Sequence, residues 1–198
     1  MESIGDKKQA IFKSTLELIR EHGFHGALMS LVAKNAGVAA GTIYHYFESK
    51  DQLIVALYEY NRDRLTSVIE SAFKRDSTYK ENFFNIWTAL CRFYVQEPNV
   101  LIFFEQFVNS PFKVNKYPDY MRGKFYSFLA EGVRKGLLKS VKPELLLVLV
   151  MGSINSVAKM HVFAKVKMTR SDLSRTAEIV WEGISSPNPK SNTNHRRK

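Results

Sequence analysis

AKNAGVAAGTIYHYFESK, residues Ala33 to Lys50, is the stretch whose reading decides the fold. It parses as a short helix, a turn at Gly37–Val38, and a second short helix. Ala33 is small, as a close crossing of two helices requires. Gly37 can take positive φ at no steric cost. Val38 and Ile43 point inward and fix the crossing. This is the pattern of a helix-turn-helix, whose second helix can lie in the major groove of DNA.

The outward face of that second helix shows Ala40, Gly41, Thr42, Tyr44, His45 and Tyr46, with no net charge. Ala40 and Gly41 let the helix start come close to a partner. Thr42 offers a hydroxyl and its backbone N–H near a helix N-terminus, where phosphate oxygens are favoured. Tyr44 and His45 are flat rings with polar tips, able to touch phosphate or a base edge. Lys50 opens the next helix and adds a positive charge and further N–H groups. Two helix beginnings aimed at one backbone would let a module without net charge grip a polyanion. The same rings also suit an aromatic cluster inside a three-helix head. Phe47 is assigned to that core and Tyr46 to both roles, while for Tyr44 the spacing alone leaves both open.

Outward from this segment, almost everything reads as helix. Upstream, Ile11, Phe12, Thr15, Leu16 and Ile19 recur at helical spacing, with Asp6 and Gln9 as a possible cap and Gly23 as a left-handed stop. A second helix runs near Met29–Ala36 and a third over Ala40–Phe47. Ser49 and Gln52 have capping-box spacing and open a long fourth helix, on the order of 35 Å at 1.5 Å per residue. Thr78 and Glu81 can cap a fifth, which Pro98 interrupts. Val100–Val108 form a sixth, and Phe112–Pro118 reads as loop. A seventh carries Met121, Phe125, Phe128 and Leu129 to a stop at Gly136. Pro143 suits the first turn of an eighth, running to about Lys165. Thr169 and Asp172 can cap a ninth, ending near Ile184. No strand alternation appears, so the expected fold class is all-α: a three-helix head over 1–50, a larger helical body over 51–186 with a connecting helix at 51–73, and a disordered tail over 187–198.

The chain has 198 residues, a formal net charge of +10 and one cysteine, Cys91. One cysteine excludes an intramolecular disulfide and a cysteine-based zinc site. The charge is unevenly placed: residues 1–64 hold eight Lys/Arg and eight Asp/Glu, residues 65–186 hold seventeen and eleven, and residues 187–198 hold four and none. The candidate DNA-binding third is therefore not basic, and its binding must rest on where particular groups point. No secretory signal opens the sequence, and the longest apolar run, Leu145–Met151, falls short of the roughly 20 residues of a membrane span. A cytoplasmic protein without a membrane partner is expected.

Gly23-Phe24, Ala33, Ala36-Gly37-Val38, Gly41-Thr42-Ile43-Tyr44-His45-Tyr46-Phe47, Ser49-Lys50 and Leu53 together resemble the head of the tetracycline-repressor-like (TetR) regulators. The resemblance implies a homodimeric repressor that binds double-stranded operator DNA and is released by a small effector. Carried over by motif position, Ala40, Thr42, Tyr44, His45 and Lys50 are the implied DNA contacts, with Gly41 and Tyr46 beside them. One departure stands out. Many members have a Thr/Ser pair before the second helix; here Ala27 and Leu28 hold those places, so Ser30 is the candidate replacement hydroxyl.

Helix eight carries Leu145–Met151 without interruption, and a helix apolar on all sides needs cover on all sides. One face can meet helices five to seven; the other needs a partner, which Gly152, Ser153 and Ser156 would let come close. The resemblance implies a four-helix seam between two copies, with Leu146, Val150, Ser153 and Val157 of helix eight and Val180, Trp181 and Ile184 of helix nine as its residues. An internal helix of a monomer is the other reading. For an apolar or aromatic effector the ring-rich set Trp87, Phe104, Phe107, Phe112, Tyr120, Phe125 and Phe128 is the candidate lining, joined by Cys91 and Tyr94. Asn155 and Lys159, one turn apart, would need partners if buried. Plain core is the competing reading for the rings.

An all-α enzyme is the rival from another class, and a helical protein-interaction module without DNA binding is a second. The chain lacks Glu-x-x-His, His-Glu-x-x-His, a phosphate-cradling glycine loop and a nucleophile elbow. His22 and His25 flank a helix end with no further ligands in view, and Cys91 lies on an apolar face. No catalytic residue, metal or cofactor is expected beyond the unidentified effector.

Overall fold

A computed structural model describes residues 4–112 and 123–187. The expected tail and loop, with Tyr120 and the start of the seventh helix at Met121, lie wholly or largely outside the described residues. Within them run nine helices: α1 (Ile4–Gly26), α2 (Met29–Asn35), α3 (Ala40–Tyr46), α4 (Lys50–Ala72), α5 (Tyr79–Gln96), α6 (Pro98–Phe107), α7 (Lys124–Arg134), α8 (Pro143–Val162) and α9 (Arg170–Ile184). The fold is all-α; among the described residues β-pairing is limited to an isolated bridge between Leu138 and Ser185.

The helix limits follow local chemistry. Ser49 Oγ accepts from Gln52 N–H at 3.2 Å, so the expected cap of α4 forms. Thr78 and Glu81 close the reciprocal box before α5, and Thr169 and Asp172 do so at α9. Asp6 does not cap α1; it lies inside the first turn, because the helix begins at Ile4. Pro98 opens α6 rather than merely interrupting its predecessor, its missing N–H falling where no helical partner exists. α8 stops at Val162, short of the expected Lys165, which has φ 55. Gly37 sits at φ 67. There Val38 N–H reaches Ala33 O at 3.0 Å and Gly37 N–H reaches Lys34 O at 3.2 Å, a paired C-terminal closure that glycine's free φ permits.

Two compact units are present. The described residues of the first are 4–64 and 97–112. Its core gathers Ile11, Phe12 and Ile19 of α1, Val32 and Ala33 of α2, Ile43 of α3 and Leu53, Ile54 and Leu57 of α4. Phe12 packs 5.6 Å from Phe47 and 4.9 Å from Tyr60, ring to ring. Buried hydroxyls are satisfied within the unit: Ser14 Oγ donates to Val32 O of α2 and Thr15 Oγ1 to Ile11 O of its own helix. α6 returns to this unit and packs on α1.

The described residues of the second unit are 65–96 and 123–187. α5 is its axis, packed by α8 and α9, with α7 on α8. Trp87 is fully buried and donates Nε1–H to Ser153 Oγ at 3.0 Å, which in turn donates to Val150 O. Tyr79 stacks on Phe128 at 4.2 Å and donates its hydroxyl to Phe128 O, and burial pushes that hydroxyl's pKa up. α8 is long and apolar enough by length and composition to cross a membrane, contrary to the expectation drawn from its uninterrupted run. Its inner face, Leu146, Leu147, Val150, Ile154, Val157 and Ala158, is nonetheless buried within the unit.

Candidate nucleic-acid interface

α2, the Gly37 turn, α3 and the start of α4 form one sequence-contiguous surface in the first unit. Ile43 and Phe47 are buried at 0% and 3% exposure, so α3 is anchored by that side. The opposite side carries Ala40, Gly41, Tyr44 and His45, all exposed, with Thr42 and Tyr46 half-buried. Tyr44 is 55% exposed, which resolves the ambiguity its spacing left: it is not core. Tyr46 shares both roles, its ring 5.8 Å from His45 and 6.3 Å from Phe47.

Gly41 is informative because nothing among the described residues asks for it. A Cβ there would meet no atom within 4 Å, and its φ is not in the left-handed region. Glycine inside a helix is disfavoured against alanine by roughly 1 kcal/mol. A residue that is locally unfavourable and internally unnecessary points to an approach from outside.

Three expected details are corrected. Thr42 N–H is not free; it donates to Ala39 O at 2.9 Å, so Thr42 offers its hydroxyl only. At the start of α4, Gln52 N–H is taken by Ser49 Oγ, and Glu48 N–H donates to Gln52 Oε1 at 2.6 Å, so fewer amides remain than two open helix beginnings would supply. Lys50 Nζ donates to His25 O at 3.3 Å, which ties it to the end of α1 while leaving it half-buried at the surface. Ser30 is exposed in the first turn of α2, whose N-cap Leu28 has no side chain to bond the helix amides.

The other expected sites divide. Leu146, Val150, Val157 and Ile184, assigned to a seam between copies, are 8% exposed or less and belong to the unit's own core; Ser153 accepts from Trp87, and Val180 and Trp181 are half-buried. Trp181 packs 5.3 Å from Phe83. The uncovered stripe of α8 is instead Leu145, Val148 and Leu149, 56–63% exposed, continuing through exposed Gly152, Ser156 and Met160; on α9, Ile179 is 68% exposed. The signal was in the sequence, since Gly152 and Ser156 mark this face two residues on from Val150 and Ile154.

The ring set divides between the two units. Trp87, Cys91, Tyr94 and Phe125 are core residues of the second unit, and burial pushes the Cys91 thiol up to about 11. In the first unit, Phe107 is buried and stacks on Tyr58 at 4.3 Å, while Phe104 is half-buried with its ring edge-on to Tyr58 at 5.7 Å, and Phe112 packs on Phe24. Phe128 is the exception: it lines a groove of about 680 Å³ between the end of α4, α5 and α7, with Ile69, Phe73, Tyr79 and Ile86. Lys159 is exposed, and Asn155 Oδ1 is buried with no hydrogen-bond partner. Such an acceptor is matched by a hydrogen-bond donor.

Comparison with known proteins gives a consistent picture. Residues 11–57 match the model of bacterial regulatory proteins of the tetR family, and residues 78–185 match the tetracyclin repressor-like C-terminal domain. An uncharacterized HTH-type transcriptional regulator of Haemophilus influenzae is 24% identical over 90% of this chain and 96% of its own. The fold is shared with a TetR family transcription regulator from Marinobacter aquaeolei at a TM-score of 0.84, 22% identity, and 92% and 97% coverage of the two chains. It is also shared with the Bacillus subtilis regulator FadR in its complex with stearoyl-CoA, at a TM-score of 0.67, 22% identity, and 88% and 95% coverage.

Proposed function

The chain belongs to the tetR family of bacterial regulatory proteins, and from that premise we propose that it is a repressor that binds a near-palindromic operator as a homodimer and is released by a small effector. The observation that carries the DNA reading is the outward face of α3: exposed Gly41 and Tyr44 over buried Ile43 and Phe47. Gly41 and Ala40 admit the helix to the groove. Tyr44, His45 and the Thr42 hydroxyl reach phosphate or base edges, and Lys50, held by His25, adds a positioned charge. Gly41, Tyr46 and Ser30 complete the contact set. The setting this implies is the cytoplasm.

The open stripe on α8 and Ile179 on α9 supply the seam between copies. A Cβ at Gly152 or at Gly183 would meet nothing within 4 Å, so both glycines are free for close helix approach. Two heads then meet successive major grooves. The groove beside Phe128 is the effector site, apolar along Ile69, Phe73 and Ile86. The stearoyl-CoA complex of the Bacillus subtilis FadR supports an effector with a long apolar part. Ile69 lies in the last turns of α4 and Phe73 just beyond it, on the helix that begins at Lys50. A ligand there therefore acts on the helix that carries a DNA contact, and effector and operator oppose each other reciprocally.

Footprinting on the DNA flanking the chain's own gene tests the function. Two protected half-sites about one helical turn apart are expected. Uniform protection at all sequences, or none, would refute operator binding.

A further inference from the structure

A second concavity, of about 400 Å³, lies wholly within the second unit and differs in character from the apolar groove. Its walls are Lys74 after α4, one face of α5 with Phe84, Asn85, Thr88 and Arg92, and the first turns of α9 with Arg170 and Ser174. Three cations border it, and no carboxylate does. Among the described residues none of Lys74, Arg92 and Arg170 stands in an ion pair. Of the acids near them in sequence, Glu81 is bound to Thr78 and Asp172 to Thr169, and Asp76, two residues from Lys74, does not line the concavity. Lys80 adds a fourth positive charge, its ammonium 5.6 Å from the Phe84 ring.

Like charges around one concavity repel, and no carboxylate among its lining residues offsets them. Arg170 sharpens the point. It occupies the first position of α9, where the helix dipole disfavours a cation. An anion in the concavity would satisfy the dipole and all three side chains together. Two guanidinium forks match the oxygens of a phosphoryl group, and Thr88, Ser174 and Asn85 add neutral donors. The volume falls within the range of about 300–1,000 Å³ of small-molecule sites, and Phe84 gives the wall an apolar face.

We propose that this concavity binds an organic phosphate: a phosphoryl group held by Lys74, Arg92 and Arg170, with its organic body against Phe84. The site shares no residue with the α3 face, and its test needs no DNA, so either reading can fail without the other.

Isothermal titration of the full chain at 150 mM salt is the test, with a nucleoside 5′-diphosphate, inorganic pyrophosphate and citrate as probes. Saturable binding of one nucleoside diphosphate per chain is expected, tighter than pyrophosphate and much tighter than citrate. Arg92→Gln and Arg170→Gln, both at exposed positions, should each weaken it by about tenfold, as loss of one charge-assisted contact does. Citrate binding as tightly would reduce the site to a general accumulation of charge and overturn the proposal. Pyrophosphate binding as tightly would remove the organic body. Undiminished binding in the Arg92→Gln/Arg170→Gln double variant would place the ligand elsewhere.

Discussion

Leu149→Ala is the sharpest test of how two copies meet, because the buried and open faces of α8 are one residue apart in register. Leu149 is 63% exposed, whereas Leu146, one turn back, is 2% exposed. Full burial of a leucine is worth about 1.5–3 kcal/mol, so covering the open share of Leu149 contributes about 1 kcal/mol per copy. A two-fold seam counts it twice, about 2 kcal/mol, which raises the dimer Kd on the order of 30-fold. Leu146→Ala should behave oppositely: it empties a core position and lowers fold stability by about 2–5 kcal/mol, with the dimer Kd of the folded chain unchanged. Sedimentation equilibrium over a range of concentrations reads the dimer, and urea denaturation reads the fold. A dimer Kd within twofold of the parent for Leu149→Ala, or a larger shift for Leu146→Ala, would refute this register.

Gly41→Ala should raise fold stability by about 0.5–1 kcal/mol in urea denaturation while lowering operator affinity several-fold; unchanged affinity would mean that glycine serves no approach there. Acid should weaken the fold through Glu131, whose pKa falls from 4.5 to about 2, chiefly because Arg134 donates to its carboxylate, with Lys135 second. A depressed carboxylate contributes stability above its unfolded pKa and loses it as pH falls through the folded one, so the loss runs from about pH 4.5 to 2. Glu131→Gln should flatten that limb in thermal melts, and an unaltered limb would assign it to other groups. Cys91, buried and pushed up to about 11, should be alkylated on the order of 100-fold more slowly in the native chain than in urea at pH 8; comparable rates would show the site to be open.

The elements were legible where local chemistry alone sets them. Ser49/Gln52, Thr78/Glu81 and Thr169/Asp172 announce helix starts by spacing, and Gly37 and Gly136 announce stops, each at positive φ in the fold. The outward set on α3 was legible for the same reason, since a seven-residue helix anchored by Ile43 leaves few choices of face. What depends on tertiary partners was not. The run Leu145–Met151 is apolar at every position, so periodicity cannot say which leucines α5 and α7 will cover. The aromatic residues of α5 and α6 read as pocket or core alike, and packing on Tyr58 and Ser153 made most of them core. The engagement of Thr42 N–H by Ala39 and of Lys50 by His25 depends on backbone detail that residue types do not encode.

The central claim is that the exposed face of α3 grips DNA. Fluorescence anisotropy with one duplex carrying the footprinted site, and one with its order scrambled, measured across salt concentrations, tests it most directly. The parent chain should prefer the intact site and weaken as salt rises, as phosphate contacts require. Tyr44→Ala should lose affinity for the site while remaining a dimer, and Lys50→Ala should weaken binding to both duplexes alike. If Tyr44→Ala binds the intact site as tightly as the parent chain, the face of α3 is not what holds the DNA.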